Sequence, residues 1–346
     1  MFLSNKKILV TGSAGFIGSA LVKKLLEFNV KIVGIDNVNN YYSQDLKRAR
    51  LLEIVKKQRV SPGFWEFNEV AIEDSTSLKR ISSENKFDIV IHLAAQAGVR
   101  YSLTDPKAYI KSNLVGFENI LELCLNSQIE NFIYASSSSV YGGNKSSPFK
   151  EDDNVNHPVS LYAATKRANE LMAHTYSHLY KIPSTGLRFF TVYGPWGRPD
   201  MAPMIFTKSI LSKKPISVFN HGDMSRDFTY IDDVVEGIIK CCCKPATIDL
   251  NVDLYNPNPS SSLLAPFRIF NIGNSKPVKL LDFIKILEEK IGTKAIKKFY
   301  DMQPGDVNST HSDNMKLREW VGYEPKTSLD EGIKKFLEWY FNYFKH

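Results

Sequence analysis

Cysteine is scarce in this chain. The 346 residues include four cysteines, namely Cys124 and the adjacent Cys241, Cys242 and Cys243. Adjacent residues of a helix point in different directions, so the three neighbouring thiols fit neither a metal site nor a disulfide framework. We interpret all four as small buried apolar groups, and no metal site is predicted.

Long hydrophobic runs and strong net charge are also missing. No apolar run approaches the roughly 20 residues of a membrane span, and the first residues lead into a predicted strand without a signal-peptide pattern. We therefore expect a cytoplasmic protein without a membrane partner. The 44 basic and 37 acidic residues give a net charge of +7. Because the two signs are interspersed rather than clustered, a nucleic-acid partner is not expected.

Glycine is concentrated near the N-terminus, where it marks a nucleotide-binding turn. The strand pattern Lys6–Thr11 is followed at once by Gly12-Ser13-Ala14-Gly15-Phe16-Ile17-Gly18 and then by a helical pattern. Such glycines allow a tight turn, a close backbone approach to pyrophosphate and close helix–strand packing. A second strand pattern, Val30–Ile35, leads to Asp36, whose carboxylate would accept hydrogen bonds from ribose hydroxyls and repel a 2′-phosphate. The pattern predicts NAD rather than NADP.

Tyr162 and Lys166 lie four residues apart, which places them on one face of a predicted helix. An ammonium beside a phenol stabilises the phenolate and lowers the pKa of the tyrosine, as a general base requires. The polar run Ser136–Ser139 follows the strand pattern Phe132–Ala135, so its hydroxyls are expected at the carboxyl end of that strand. A half-buried tyrosine with a solvated lysine, and a plain polar turn, are the alternatives that spacing alone leaves open.

Taken together, the glycine turn, the Tyr162/Lys166 pair and the segment Ser136–Gly142 resemble the extended short-chain dehydrogenase/reductase family. The resemblance covers essentially the whole chain. Within that family the chain is similar to the UDP-glucuronate 4-epimerases, which use NAD. This second likeness rests on the segments His92–Ser102, Gly197–Ala202 and Arg226–Asp233.

The resemblance implies a set of site residues. Those expected to be catalytic are Tyr162, Lys166 and Ser137, with Ser137 bonded to the sugar O4. Those expected to bind the cofactor are Gly12, Gly15, Phe16, Ile17, Gly18, Asp36, Leu93, Ala94, Ala95, Tyr162 and Lys166. Those expected to bind substrate are Ser138, Ser139, Thr191, Arg198, Arg226 and Asp306. Among the last group, Arg198 would hold a uronate carboxylate, Arg226 the UDP phosphates, and Asp306 the nucleotide ribose and base.

Strand and helix patterns alternate through the first half of the chain. This alternation predicts parallel βαβ units and an α/β fold with a doubly wound parallel sheet (Rossmann), which binds ligands outside the carboxyl ends of its strands. The alternation stops near Pro195, and a smaller C-terminal substrate-binding lobe is expected. By family analogy, residues 1–190 and 228–272 would form the NAD-binding domain, and residues 191–227 and 273–346 the nucleotide-sugar lobe.

The implied reaction is C4 epimerisation of a UDP-sugar through a transient 4-keto intermediate, with UDP-glucuronate converted to UDP-galacturonate. Related dehydratases and decarboxylases carry acidic residues just before the Val-Tyr-Gly sequence, where this chain has Ser138-Ser139. That difference favours epimerisation alone. The alternative is a UDP-hexose or UDP-N-acetylhexosamine 4-epimerase, or another nucleotide-sugar oxidoreductase of the extended family.

Two further expectations come from the family. Ala71 stands where relatives have an aspartate that holds the adenine, so Glu73, Asp74 or the backbone alone would take that role. A homodimer is expected through the predicted helices Ala108–Leu125 and Leu161–Tyr180, and Asn113 on the first of them is expected to support the active-site backbone.

Overall fold

The computed structural model describes residues 3–303 and 305–345. The predicted domain ranges also include residues 1, 2, 304 and 346, which lie outside the described residues. Strand and helix alternate through the first half. In chain order these elements are β1 (Lys7–Thr11), α1 (Phe16–Leu25), β2 (Lys31–Asp36), α2 (Gln44–Gln58), β3 (Phe64–Glu69), α3 (Ser75–Glu84), β4 (Ile89–His92), α4 (Tyr101–Thr104), α5 (Pro106–Tyr109), a π-helix (Ile110–Val115), α6 (Gly116–Ser127), β5 (Asn131–Ser137), a 3₁₀ turn (Ser138–Tyr141), α7 (Leu161–Tyr180) and β6 (Ser184–Phe189).

Shorter strands appear in the second half. Its elements are β7 (Thr191–Tyr193), α8 (Ala202–Leu211), β8 (Ile216–Val218), a 3₁₀ turn (Phe219–Gly222), β9 (Ser225–Tyr230), α9 (Ile231–Cys242), β10 (Phe267–Ile272), β11 (Pro277–Lys279), α10 (Leu280–Ile291), β12 (Lys297–Phe299), α11 (Met315–Val321) and α12 (Leu329–Phe344). In the described part of the chain, no helix is both long enough and apolar enough to cross a membrane.

Seven strands form the central sheet, in the order β10-β6-β5-β4-β1-β2-β3. All of its strand pairs are parallel, and the strand order reverses at β1, which lies between β2 and β4. The central residues of β1 and β4 are fully buried, as expected of a sheet that helices cover on both faces. The predicted doubly wound fold is confirmed.

The helix that carries the Tyr162/Lys166 pair matches its predicted bounds. α7 begins after Ser160, whose hydroxyl accepts a hydrogen bond from the backbone N–H of Ala163 at 3.1 Å. Ser160 therefore satisfies one of the amides that an α-helix leaves free at its N-terminus.

The helix predicted as Ala108–Leu125 is instead divided into α5, the π-helix and α6. Within the π-helix the Asn113 side chain is bonded to the backbone of Gln96, and the Asn113 carbonyl accepts from the side chain of Asn169 at 2.6 Å. These partners belong to other segments of the chain. A local periodicity therefore could not predict the interruption.

Two small sheets were also not predicted. β7, β9 and β11 form one, and β8 and β12 form the other. Four of these five strands have only three residues, too few for a periodicity to be recognised from sequence. Between β9 and β11 the chain returns to the central sheet, where β10 pairs with β6 at its edge.

A fully buried ion pair attaches α7 to the central sheet. Arg188 of β6 donates from Nε and Nη2 to the two carboxylate oxygens of Glu170 in α7, at 2.8 and 3.0 Å. The Ser136 hydroxyl adds a third hydrogen bond to Glu170, at 2.6 Å. The three contacts fix α7 against the carboxyl ends of β5 and β6.

Candidate active site

The glycine turn packs closely against the segment that follows β4. Gly12 has a positive φ of +71°, and a Cβ there would lie 2.7 Å from the backbone nitrogen of Ala94. A Cβ on Gly18 would lie 2.1 Å from the Gly12 carbonyl oxygen. Neither position has room for another side chain, so both glycines are required for this backbone path.

The turn leads into the N-terminus of α1, at which Gly15 provides no side-chain cap. The first backbone N–H groups of α1, from Phe16 onward, therefore remain available to an anion, and the helix dipole favours one there. Opposite them, the Leu93 and Ala94 amides are held by the backbone carbonyl and the hydroxyl of Thr11, each at 3.2 Å. This cradle fits the pyrophosphate of a dinucleotide.

Asp36 ends β2 beside the same turn. Its carboxylate accepts hydrogen bonds from the backbone N–H groups of Ala14 at 3.1 Å and Val38 at 2.8 Å. Burial raises the pKa of Asp36, while the Val38 hydrogen bond and the charge of Lys47 act against that rise. Each carboxylate oxygen keeps a lone pair for a ribose hydroxyl, so the position fits the ribose contact predicted for NAD.

The two acidic residues proposed for adenine differ in what they contact. Asp74 caps α3, accepting from the backbone and the hydroxyl of Ser77 at 3.1 and 2.6 Å. Glu73 has a buried carboxylate oxygen, Oε2, that finds no hydrogen-bond partner among the described residues. A role in holding adenine remains a prediction, and of the two acidic residues Glu73 is the one with a free acceptor.

Tyr162, Lys166 and Ser137 come together where α7 crosses the end of β5. Lys166 is buried and donates to the Ala135 carbonyl oxygen at 2.8 Å. Burial lowers the pKa of Lys166 to about 8, although the charge of Glu170 opposes this. The Ser137 hydroxyl contacts that of Ser139 at 3.1 Å.

The pKa of Tyr162 depends on different neighbours from those expected. Burial raises the pKa, and the groups that counteract burial are the Ser137 hydroxyl and the positive charge of Arg198. The sequence predicted that Lys166 would lower this pKa. In the structure Lys166 donates to the Ala135 carbonyl oxygen, and its role in stabilising a Tyr162 phenolate stays a prediction.

Asn113 supports the backbone beside this group, as expected. Its side-chain oxygen accepts from the Gln96 N–H at 2.8 Å, and its side-chain nitrogen donates to the Gln96 carbonyl and the Thr165 hydroxyl, each at 3.0 Å. The amide therefore ties the segment after β4 to the first turn of α7, which carries Tyr162.

A cleft with a volume of about 140 Å³ opens next to the serines. Five of the six residues predicted to bind substrate line it, namely Ser138, Ser139, Thr191, Arg226 and Asp306. Asp306 forms an ion pair with Arg100 at 2.8 Å. Burial lowers the pKa of Arg226, and the negative charge of Asp306 opposes this shift. Among the described lining residues, Arg226 is therefore the cation of the cleft.

The sixth predicted residue, Arg198, is not among the lining residues of this cleft but lies close enough to Tyr162 to affect its pKa. The loop before Arg198 is held by a buried arginine of α2, Arg50. That guanidinium donates to the carbonyls of Trp196 at 2.7 Å and Gly197 at 3.2 Å, and also to the Ala14 carbonyl at 3.1 Å. Arg50 therefore joins the glycine turn to the loop that carries Arg198.

Sequence reasoning missed Arg50, Arg100, Tyr41 and Asp200. Arg50 lies in a strongly basic helix, where a charged residue is typical of a solvated face, and only its burial distinguishes it. The Tyr41 hydroxyl and the Asp200 carboxylate bond to each other, but the two residues meet only in the folded chain. The sequence could have pointed to Asp200 only through its place in the Gly197–Ala202 segment, on which part of the family resemblance rests.

Comparisons with known proteins identify the family of this chain. The model of the NAD dependent epimerase/dehydratase family matches residues 8–254. Protein CapI of Staphylococcus aureus is 51% identical, over 98% of this chain and 99% of its own length. A probable UDP-glucuronate 4-epimerase of Rhizobium meliloti is 44% identical, over 96% of each chain.

A solved structure gives the same result. The UDP-glucuronic acid 4-epimerase from Bacillus cereus in complex with UDP-glucuronic acid and NAD superposes with a TM-score of 0.85 at 34% identity, covering 97% of this chain and 99% of that one. The predicted family resemblance is thus confirmed, and this chain belongs to the NAD dependent epimerase/dehydratase family.

Proposed function

We propose that this protein is an NAD-dependent UDP-sugar 4-epimerase that converts UDP-glucuronate to UDP-galacturonate. The observation that carries the proposal is the grouping of Tyr162, Ser137 and Lys166 at the end of β5, with Arg198 near enough for its charge to act on the phenol of Tyr162. A guanidinium is the side chain best suited to a carboxylate, and here one stands beside the candidate base. A sugar with its C4 hydroxyl at Tyr162 would bring its C5 carboxylate to Arg198.

The chain's own groups account for proton transfer. Tyr162, as phenolate, takes the proton of the C4 hydroxyl, and the Ser137 hydroxyl bonds to O4. NAD⁺, held by the Gly12–Gly18 turn and Asp36, would supply the acceptor for the C4 hydride. Lys166, whose ammonium donates to the Ala135 carbonyl oxygen, would stabilise the charge of the phenolate.

The acid–base groups of the cleft favour epimerisation over elimination or decarboxylation. Ser138 and Ser139 stand where a dehydratase or decarboxylase needs a carboxyl group. Among the described lining residues the only carboxylate is that of Asp306, and it is paired with Arg100. Once the 4-keto sugar has formed, the remaining step available to it is reduction at C4.

We also propose the predicted division into an NAD-binding domain (1–190 and 228–272) and a nucleotide-sugar lobe (191–227 and 273–346). The pairing of β10 with β6 and that of β8 with β12 support it. The uridine would then bind between the two units. A structure of the complex in which uridine contacts the first unit alone would contradict the division.

The site of action is proposed to be the cytoplasm. Cys124, Cys241 and Cys242 are free thiols and buried, as predicted, whereas the prediction of a buried Cys243 is wrong, because this residue follows the end of α9 and is exposed. Free thiols fit a reducing compartment. Recovery of the protein outside the cell would contradict this proposal.

The assembly is proposed to be a homodimer formed through α6, the π-helix and α7. These neighbouring helices expose large apolar side chains: Ile110 is 43% exposed, Val115 49%, Leu171 54%, Leu179 60% and Tyr180 48%. Exposed apolar surface of this kind is typical of a helix-to-helix interface.

The cofactor prediction concerns Asp36. Protein purified without added nucleotide should release NAD, and not NADP, on denaturation, because the buried carboxylate repels a 2′-phosphate. Asp36→Ala should retain less NAD and discriminate less against NADP. Asp45→Ala, an exposed position in the adjacent helix, is the matched control. Released NADP from the unaltered protein would overturn the ribose assignment.

The base prediction concerns Tyr162. Tyr162→Phe should keep its fold and its NAD content but lower turnover of UDP-glucuronate by roughly two to four orders of magnitude, the contribution of a positioned acid–base group. Tyr255→Phe changes a fully exposed tyrosine outside the site and outside the proposed interface, and should be near normal. Near-normal turnover in Tyr162→Phe would remove this residue from the mechanism.

The substrate prediction concerns Arg198. Unaltered protein should strongly prefer UDP-glucuronate to UDP-glucose in kcat/KM, and Arg198→Met should lose most of that preference, since a charge-assisted pair contributes more than a neutral hydrogen bond. Arg59→Met, at an exposed position, serves as the control. Equal losses on both sugars would show that Arg198 only orders its loop. A preference of the unaltered protein for UDP-glucose or a UDP-N-acetylhexosamine would contradict the uronate assignment.

The assembly prediction is tested by molar mass. Light scattering should give a mass of two chains for the unaltered protein and of one chain for Leu171→Asp, because a charge cannot be buried in the apolar interface without a partner. Val60→Asp changes an equally apolar exposed residue after α2 and should leave the dimer intact. A single-chain mass for the unaltered protein would exclude the dimer.

A further inference from the structure

The guanidinium of Arg198 is already bound along one edge. Its Nε donates to Oδ1 of Asp200 at 3.0 Å, and its Nη2 donates to Oδ2 of the same carboxylate. Burial disfavours the charged form of both residues, but the hydrogen bonds and the attraction between their opposite charges act against burial. The pKa of Arg198 is therefore raised and that of Asp200 is lowered. Both groups are therefore charged at neutral pH.

A second residue fixes Asp200 from the other side. The Tyr41 hydroxyl donates to Asp200 Oδ2 at 3.0 Å. Tyr41 is itself closely surrounded, because its ring packs on that of Tyr101 at 4.9 Å and a Cβ on Gly98 would lie 2.5 Å from its hydroxyl oxygen. The Asp200 carboxylate is thus held between the Arg198 guanidinium and a packed tyrosine.

The edge that Asp200 occupies determines which edge is free. A guanidinium has five N–H donors, and Asp200 takes those of Nε and one of Nη2. Nη1 has no hydrogen-bond partner in the part of the chain that the structure describes. The end of the fork, formed by Nη1 and the second N–H of Nη2, is therefore the edge left for a bidentate carboxylate.

We propose that Asp200, held by Tyr41, is a specificity-determining positioning residue that fixes Arg198 for reading the C5 carboxylate of a uronate. The proposal rests on the function proposed above for Arg198. Asp200 stays bound to Arg198 when substrate binds and is not displaced by the incoming carboxylate. Displacement would cost Asp200 both of its guanidinium hydrogen bonds and leave the Tyr41 hydroxyl as its remaining side-chain partner among the described residues.

This arrangement also limits the attraction of Arg198 for other ligands. Because Asp200 already balances the arginine charge, an inorganic anion gains little from long-range attraction, and binding depends on the geometry of the free edge. Selectivity for the uronate therefore depends on the orientation of the guanidinium. Removing Asp200 releases that orientation while leaving the positive charge in place.

The experiment is a double-mutant cycle on NAD-loaded protein with Asp200→Ala, Arg198→Met and the double variant. KM and kcat are measured with UDP-glucuronate, and Kd is measured with UDP-glucose. Asp200→Ala should raise KM for UDP-glucuronate roughly tenfold to a hundredfold, as expected for lost hydrogen bonds to a charged group, and should leave Kd for UDP-glucose nearly unchanged. The double variant should be no worse than Arg198→Met, because residues that act through one another are not additive. Tyr41→Phe should show a smaller loss of the same kind.

Asp223→Ala, an exposed aspartate of the same half of the chain, is the control and should resemble the unaltered protein. Tighter binding of UDP-glucuronate by Asp200→Ala would overturn the inference, since Asp200 would then be a competitor for Arg198. Equal losses for both sugars, or additive effects of the two substitutions, would also overturn it. If Arg198→Met keeps the preference for the uronate, the proposed function is contradicted. If Arg198→Met loses that preference but Asp200→Ala keeps it, this inference alone is contradicted.

Discussion

The buried pair between Glu170 and Arg188 is the interaction on which the geometry of the site depends. α7 carries Tyr162 and Lys166, and its position on the sheet decides whether those groups meet the end of β5. Both partners of the pair are fully buried, so loss of Glu170 would leave the Arg188 charge without its ion partner in the interior, at a cost of about 3–5 kcal/mol. A shift of α7 would break the same contacts, and the helix is held in register for that reason.

The cofactor side and the sugar side of the cleft are joined by polar contacts across long sequence distances. Arg50 bonds to the carbonyls of Ala14 and Trp196, and Asn113 bonds to Gln96 and Thr165. The glycine turn, the loop before Arg198 and the start of α7 therefore form one connected frame. Such a frame suits a reaction in which the oxidised sugar must be held near the cofactor until the hydride returns.

The chemistry and the specificity of the site belong to different elements. Tyr162, Ser137 and Lys166 lie on α7 and at the end of β5, and their chemistry serves any sugar with an oxidisable C4 hydroxyl. The choice of sugar is assigned to Arg198, on a loop whose position depends on Arg50, Asp200 and Tyr41. A loop tolerates substitution better than a buried helix does, so substrate choice can change without altering the proton-transfer groups.

The sequence by itself determined the central sheet, the bounds of α7, the glycine turn and the residues that meet around Tyr162. These features follow from periodicity, from glycine spacing and from the rule that ligands bind at the carboxyl ends of parallel strands, all of which are local or topological. Tertiary structure alone decided the π-helix at Asn113, the three-residue strands, the direction of Lys166 toward Ala135 and the Asp200 contact with Tyr41. In each of these the partners lie far apart in the chain, and no local pattern records a contact that exists only after the chain has folded.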